Sequence, residues 1–171
     1  MNESILQTEH LFVRDFLDSD SAEVMKIFGD AEVMKYIGGV WIKESSEKAA
    51  IAKLNDFTRR QRSGYGMWAV ASKATDKVVG HLGVRLLHGS DDTEIGFIID
   101  SDLWGKGLAS EIASAAVTYC FDKLSLQKVV AVVEPENRAS VRVLKKIGFQ
   151  QNGEFRHPEL DHALDLFELR R

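Results

Sequence analysis

The stretch from Glu94 to Ser110, EIGFIIDSDLWGKGLAS, predicts a strand, a glycine-bearing turn and the first turn of a helix. Within the turn, Gly105 and Gly107 flank Lys106. Glycine lets the backbone bend sharply and leaves the main-chain N–H groups uncovered by side chains. A helix N-terminus with such N–H groups favours an anion. The stretch therefore predicts an anion site between a strand and a helix.

The length and composition indicate one globular domain, which we place over residues 1–171. A chain of 171 residues falls within the roughly 100 to 200 residues that are typical of one hydrophobic core. Its 44% hydrophobic and 28% charged residues are close to globular averages, so a packed core is expected. The formal net charge of -4 predicts no broad basic surface, and therefore neither a nucleic-acid nor a membrane partner.

The cysteine and histidine content bears on the compartment and on metal chemistry. The one cysteine, Cys120, rules out an intramolecular disulfide and favours a reducing compartment. With no signal peptide and no run of roughly 18 apolar residues, a cytoplasmic protein is expected. Cys120 lies on an apolar helix face, which favours a buried structural thiol over a covalent acetyl-cysteine. The five histidines lack zinc-ligand spacing, so no metal is expected. His81 lies in a predicted strand and could face the site, but a packed or surface histidine is the preferred interpretation.

Hydrophobic alternation predicts strands on both sides of the central stretch. Three of these strands precede the turn one after another, as in an antiparallel meander. The apolar run from Lys128 to Val133 suits a strand that is buried on both faces. The predicted strands cover residues 10–16, 67–72, 77–87, 93–100, 128–133, 149–155 and 163–169.

Helical spacing and capping residues predict about four helices between these strands. They begin after Asp18–Ser21, after Ser45 or Ser46 beyond a break at Gly38-Gly39, after Gly107 and after Asn137, and residues 31–37 could form a further helical turn. The predicted fold class is mixed α/β, with a mostly antiparallel, twisted sheet of six to seven strands flanked by about four helices.

The glycine turn has several interpretations. An ordinary tight turn explains the glycines, but it does not explain why the helix begins beside Lys106 and carries no acid before Glu111. A dinucleotide fingerprint is weak, because Ser110 replaces the third glycine and too little chain follows Glu134 for a second mononucleotide half. A P-loop is excluded, since no GxxxxGK[ST] pattern occurs. The other phosphate-binding interpretation is the pyrophosphate arm of coenzyme A, which rests on the resemblance described next.

The turn, together with Asn137 and the closing Ile147-Gly148-Phe149, resembles the GCN5-related N-acetyltransferase (GNAT) family. The resemblance is greatest to its RimJ/RimL-type branch, which acetylates the N-termini of ribosomal proteins. The family's turn follows Arg/Gln-x-x-Gly-x-Gly/Ala, and WGKGLA at residues 104–109 fits it except at the Arg/Gln position, which leaves the subgroup open. Further matches occur in order along nearly the whole chain: Thr8-Glu9-His10-Leu11 with Arg14, AEVMKY at residues 31–36, and EPENRAS at residues 134–140.

The resemblance implies acetyl-CoA as the cosubstrate. Backbone N–H groups of the turn would hold the pyrophosphate at the helix N-terminus, and the pantetheine arm would pair with the edge of the preceding strand. An N–H group near Ile99 would stabilise the oxyanion. Asn137 would contact the cofactor, cap its helix, or do both. The implied cofactor-binding residues are Phe97, Ile98, Ile99, Trp104, Gly105, Lys106, Gly107, Leu108, Ala109 and Asn137.

Acetyl transfer to an amine needs an uncharged nucleophile, so a base assists the reaction. The candidate is Glu94, which by strand alternation shares a face with Gly96 and Ile98, and the missing side chain of Gly96 leaves room there for a substrate. An exposed carboxylate at the strand start is the competing interpretation, and a base acting through water is also open. For the thiolate leaving group, the resemblance implies Ser140 as the proton donor, because Leu144 stands where many relatives have a tyrosine. A plain helix-start serine is the alternative.

The predicted function is direct acetyl transfer from acetyl-CoA to a primary amine in a ternary complex. The amine is a protein N-terminus, such as that of a ribosomal protein, or belongs to a small molecule. The competing functions are an acyl-CoA sensor without turnover and an enzyme that uses a nicotinamide cofactor. Both a monomer and a homodimer are compatible with the sequence. The resemblance places five aromatic residues at the acceptor pocket: Phe28, Tyr36, Trp41, Tyr65 and Trp68. For any single one of them, core packing is the preferred interpretation.

Overall fold

The alternating segments form one sheet in a computed structural model that describes residues 4–37 and 47–171. The strands are β1 (Leu6–Gln7), β2 (Leu11–Arg14), β3 (Gly66–Ser72), β4 (Val78–Leu86), β5 (Thr93–Ile99), β6 (Lys128–Val133), β7 (Gln150–Phe155) and β8 (Leu164–Arg170). The α-helices are α1 (Ser21–Gly29), α2 (Ala31–Met34), α3 (Glu47–Arg60), α4 (Leu108–Asp122) and α5 (Arg138–Lys146). Two 3-10 turns cover Asp18–Asp20 and Ser101–Leu103. The predicted break at Gly38-Gly39 and the predicted cap at Ser45 or Ser46 lie outside the described residues.

The predicted fold class is confirmed, but the sheet has eight described strands instead of six to seven. The additional strand is β1, whose two residues pair antiparallel with β2 and place Leu6 opposite Val13. Two residues are too few to show a hydrophobic alternation, so the pattern did not reveal this strand. The described helices number five, because the further helical turn predicted within residues 31–37 forms α2 as a separate single turn.

The sheet order is β1-β2-β3-β4-β5-β6-β8-β7. All neighbouring strands are antiparallel except β5 and β6, which α4 connects as a parallel pair. Their register consists of one pair, Glu94 opposite Val130, whereas β5 pairs with β4 along its full length. Beyond Glu94 the two parallel strands therefore diverge, and a gap opens in the middle of the sheet.

Helices cover both faces of the sheet. On one face, Met67 and Ile98 of the sheet belong to an apolar cluster with Val24 of α1 and Ile51 of α3. The other face carries a second apolar cluster, to which α4 and α5 contribute Ile112, Ala116 and Leu144. The gap between β5 and β6 thus opens toward a helical layer on each side. Within the described ranges, no helix has the length and apolar character that crossing a bilayer requires.

Candidate active site

The turn between β5 and α4 has the open backbone that the glycines predict. Gly105 and Gly107 have φ angles of 78° and 81°, in the left-handed region that side chains disfavour. A Cβ atom added at either glycine would meet no heavy atom within 4 Å. The surface of the turn is therefore backbone that another molecule can approach closely.

The N-terminus of α4 keeps its unpaired N–H groups and its partial positive charge. Gly107 is the N-cap and receives no side-chain hydrogen bond. The first acidic residue of α4, Glu111, instead accepts hydrogen bonds from the Thr8 hydroxyl, from the His10 backbone N–H at 2.8 Å and from the His10 ring at 2.9 Å. Partial burial by itself raises the pKa of the Glu111 carboxyl group, but the hydrogen bonds from Thr8 and His10 outweigh it, so the net pKa is lowered. Because that carboxylate is engaged by the β1–β2 turn, the first N–H groups of α4 remain suited to an external anion.

The backbone of β5 offers hydrogen-bonding groups to the gap. Asp100 N–H donates to the Val79 carbonyl oxygen at 2.8 Å, which shows that the backbone groups of Asp100 point toward β4. Because backbone polar groups alternate in direction along an antiparallel strand, those of Phe97 and Ile99 point toward the gap. Those of Ile98 point toward β4, and the Ile98 side chain lines the cavity described below.

Trp104 links the turn to the end of β5. Its indole N–H donates to the Ile99 carbonyl oxygen at 2.8 Å, while 52% of the residue remains exposed. This bond engages the carbonyl of Ile99 and not its N–H group, which the sequence predicts as the oxyanion donor. The bond therefore holds the turn against the strand edge that the pantetheine arm is predicted to use.

The first turn of α5 stands on the opposite side of the gap. Asn137 is the N-cap, and its Oδ1 accepts a hydrogen bond from the Ser140 backbone N–H at 3.1 Å, which confirms the predicted cap. The side-chain NH₂ group of Asn137 has no hydrogen-bond partner among the described residues, and neither does the Ser140 hydroxyl group. Both groups belong to residues that line the cavity, so they are available to a bound molecule.

One cavity of about 780 Å³ crosses the sheet between β5 and the first turn of α5. Its lining on the α5 side includes Val133, Asn137, Ser140 and Leu144. On the α1 and α3 side, the lining includes Phe28, Tyr36, His81, Glu94 and Gly96. Of the predicted cofactor contacts, Phe97, Ile98 and Asn137 line this volume together with the predicted base Glu94, whereas the residues of the glycine turn are not part of its lining.

Glu94 is buried, with 4% of the residue exposed, so the interpretation as an exposed carboxylate at the strand start is wrong. It lies directly opposite Arg85 of β4. Arg85 Nε donates to one carboxylate oxygen at 2.9 Å and the guanidinium NH2 group donates to the other at 3.3 Å. The predicted room above Gly96 is confirmed, because a Cβ atom added there would meet nothing within 4 Å.

Sequence reasoning missed the environment of His81. The residue is buried, lines the cavity and packs its ring 5.6 Å from that of Phe28. Burial, and secondly the positive charge of Arg85, lower the pKa of His81 to about 3, so the imidazole is uncharged at neutral pH. Its Nδ1 atom is buried and lacks a hydrogen-bond partner in the part of the chain that the structure describes. The alternation of β4 places His81 on the same face as Arg85, and this pattern in the sequence could have indicated that His81 lies near the site.

The predicted acceptor aromatics separate into two groups. Phe28 and Tyr36 line the cavity, whereas Trp41 lies outside the described residues. Tyr65 and Trp68 are buried in the apolar cluster on the α4 side, where the Tyr65 hydroxyl pairs with Thr93 at 2.7 Å. Their nomination as pocket residues is wrong for a simple reason. Trp68 alternates with Met67 along β3 and faces the other side of the sheet.

Cys120 is fully buried, and burial raises the pKa of its thiol to about 12. A thiol with this pKa stays protonated at neutral pH and is a poor nucleophile. The prediction of a structural cysteine is confirmed.

The model of the acetyltransferase (GNAT) domain matches residues 10–150 of this chain. The chain belongs to the GNAT family. It is 34% identical over 154 residues to the uncharacterized N-acetyltransferase YoaA of Bacillus subtilis, covering 89% of this chain and 86% of YoaA. It is 28% identical over 139 residues to the spermidine N(1)-acetyltransferase of Escherichia coli, covering 81% of this chain and 72% of that enzyme.

A solved structure of the ribosomal alpha-N-protein acetyltransferase RimL in complex with coenzyme A has the same fold as this GNAT chain. The TM-score is 0.80, the identity is 16%, and the similarity covers 98% of each chain. At this identity the comparison supports the architecture and not the acceptor.

This GNAT domain is an N-acetyltransferase that uses acetyl-CoA. Its own geometry fits that cosubstrate, because the open backbone at Gly105 and Gly107, the helix N-terminus and the β5 edge follow one another along the gap. The nicotinamide alternative is wrong. A dinucleotide fold requires a mostly parallel sheet, and the described sheet has one parallel pair.

Proposed function

We propose that this GNAT enzyme transfers the acetyl group to the uncharged form of a primary amine held above Gly96, with Glu94 as the base. The observation that carries the proposal is the common cavity, which brings Glu94, the open position at Gly96 and the first turn of α5 together across the gap. The acceptor is either a protein N-terminal α-amine or a small-molecule amine. RimL and the spermidine enzyme represent these two classes among the similar proteins.

The cosubstrate contacts are distributed over three elements. Backbone N–H groups from Gly105 to Ala109 hold the pyrophosphate, with Lys106 and Trp104 beside them. Phe97 and Ile99 offer their backbone groups to the pantetheine arm, and Ile98 contributes its side chain. Since Oδ1 of Asn137 is used by the helix cap, its NH₂ group is the part that donates to the cosubstrate.

In the reaction, the acceptor nitrogen attacks the thioester carbonyl carbon, the new C–N bond forms and the C–S bond breaks. The proton that the nitrogen loses passes to Glu94, directly or through one water molecule. The coenzyme thiolate leaves and takes a proton from the Ser140 hydroxyl, or from water in its place. Ser140 regains a proton from solvent and Glu94 releases its own, so the enzyme returns to its starting state. An α-amine, with a pKa of about 7.7 to 8.0, depends on the base less than a lysine amine with a pKa of about 10.4.

Two measurements test this proposal. Acetyl-CoA should raise the melting temperature, and NAD should not, because a ligand that binds only the folded state stabilises it. Coenzyme thiol release should then be measured over peptides that begin with Ser, Ala or Met, over spermidine and over aminoglycosides, and at least one amine should support turnover. Thermal stabilisation by acetyl-CoA without turnover on any amine would overturn the proposed reaction and favour the acyl-CoA sensor. The cytoplasmic location stays a prediction from cysteine usage.

A further inference from the structure

The acceptor side of the cavity has a floor made of two glycines. Gly83 of β4 lies directly opposite Gly96 of β5, on the face that also carries His81 and Glu94. A Cβ atom added at Gly83 would lie 3.8 Å from its nearest neighbours, and one added at Gly96 would contact nothing within 4 Å. The paired glycines therefore leave a trough between His81 at one end and the Arg85–Glu94 ion pair at the other.

His81 is unusual within this trough because its ring nitrogens have no hydrogen-bond partner within residues 4–37 and 47–171. Only 8% of the residue is exposed, and Nδ1 is sealed away from solvent without a hydrogen-bond partner among the described residues. Leaving a buried polar atom unpaired destabilises a fold, and an apolar residue of similar size would avoid that cost. The neighbouring apolar residues Phe28 and Ile98 would tolerate such a side chain. A polar group kept at this cost indicates a use outside folding.

The environment also determines what this imidazole can do. The pKa of His81, about 3, lies far below that of any amine, so the ring cannot serve as the base that deprotonates an ammonium group. A neutral imidazole carries one proton, on either nitrogen. Buried N–H groups without partners are rarer than carbonyl oxygens with unused lone pairs. We therefore assign the lone pair to the sealed Nδ1 and the proton to Nε2, the nitrogen left to meet a molecule in the cavity.

From this arrangement we infer that His81 is a specificity residue that donates a hydrogen bond from Nε2 to a carbonyl or carboxylate oxygen of the acceptor. The preferred acceptor class is then an α-aminoacyl compound, such as a peptide N-terminus. A polyamine has no oxygen to receive this bond. The inference rests on the proposed function, since it concerns the amine acceptor of the same site.

The length of the trough agrees with such an acceptor. His81 and Arg85 are four residues apart on β4, which is about 13 Å in an extended strand. Glu94 is directly opposite Arg85, so the base and the imidazole stand at the two ends of this length. An amine near Glu94 and a peptide carbonyl near His81 fit about the first three or four residues of an extended chain, at about 3.3 Å per residue.

Steady-state kinetics of three variants test the inference. The acceptors are an Ala-starting tripeptide amide, which carries carbonyl groups, and two amines without oxygen, 2-aminopropane and spermidine. His81→Leu should lower kcat/KM for the peptide about tenfold, the value of one hydrogen bond of about 1.4 kcal/mol. The loss should appear mainly in the KM for the peptide. The KM for acetyl-CoA and kcat/KM for the amines without oxygen should not change.

The amide variants locate the interacting nitrogen. His81→Gln places an amide group near the former Nε2 and should keep kcat/KM for the peptide within about threefold of wild type, whereas His81→Asn places it near Nδ1 and should behave like His81→Leu. The melting temperature of His81→Leu should equal or exceed that of wild type, because the variant removes an unpaired buried atom. If His81→Leu does not fold, the difference in kcat/KM for the peptide between His81→Gln and His81→Asn still tests whether Nε2 donates to the acceptor.

Three outcomes overturn the inference while leaving the proposed reaction intact. They are equal losses for acceptors with and without oxygen, no loss for the peptide, or a wild-type enzyme that prefers spermidine to the peptide. If the wild-type protein acetylates no amine, the proposed function fails, and the inference fails with it.

Discussion

The donor side and the acceptor side of this cavity are built from different kinds of structure. The donor side is a continuous stretch, from β5 through the glycine turn into α4, and its groups are mostly backbone. The acceptor side combines His81, Arg85 and Glu94 from two strands with Phe28 from a helix. In the proposed assignment, acetyl-CoA contacts mainly backbone groups, and the acceptor contacts side chains that tertiary structure brings together.

The largest effect is expected from a substitution in the backbone turn of the donor side. Gly107→Glu places a carboxylate where the pyrophosphate is expected, so acetyl-CoA affinity should fall at least about 100-fold by calorimetry, through charge repulsion at the helix N-terminus. Gly153→Glu is the matched control. Gly153 also has a positive φ, 99°, and open space at its Cβ, but it lies on the exposed β7 strand. Normal binding by Gly107→Glu, or equal loss in the control, would contradict the assigned pyrophosphate site.

A smaller effect is expected on the acceptor side, where one charge is removed. Glu94→Gln should lower turnover roughly 100- to 10,000-fold, the usual contribution of a general base, with acetyl-CoA affinity unchanged. Arg85→Met breaks the same ion pair but keeps the carboxylate, so it should retain more turnover than Glu94→Gln. Stopped-flow acetyl transfer at saturating acetyl-CoA measures both variants. Equal losses of turnover in the two variants would show that the Arg85–Glu94 ion pair matters for the reaction, and not a role of Glu94 as the base.

The two sides meet at Ser140, and its hydroxyl should matter only modestly. A coenzyme thiolate, with a thiol pKa of about 8.5, leaves without full protonation, so Ser140→Ala should lower kcat by about tenfold or less. Its melting temperature should be that of wild type, because Asn137 accepts its hydrogen bond from the Ser140 backbone and not from the hydroxyl. An unchanged kcat would remove Ser140 as the proton donor.

Cys120 belongs to neither side of the cavity, and its removal should have the smallest effect on activity. Since burial raises the pKa of this thiol to about 12, iodoacetamide should not modify it in the native protein. Cys120→Ala should keep wild-type turnover and lose about 1 kcal/mol of stability in a denaturant titration, from the lost packing. Native-state labelling in a mass spectrum, or a large loss of turnover, would reopen the covalent mechanism.

The same contrast explains which predictions succeeded. Seven of the described strands are foreseen by alternation over several residues, and the Asn137 cap and the space at Gly96 follow from local rules. Tyr65 and Trp68 are core residues and not pocket residues. In a sequence, an aromatic residue of a core and one of a pocket look alike until it is known on which face of the sheet the side chain lies. For His81 a packed or surface position was preferred to one that faces the site, since the lack of a hydrogen-bond partner for Nδ1 among the described residues depends on its neighbours in the fold.

The sequence by itself determined the fold class and the donor. Alternation, caps and the glycine turn are local, and a helix N-terminus attracts an anion wherever the fold places it. Only the tertiary structure decided the acceptor side. The burial of Glu94 against Arg85, the trough over Gly83 and Gly96 and the unpaired imidazole of His81 depend on strand register and on the divergence of β5 from β6. Register is a relation between segments distant in sequence, and no single segment encodes it.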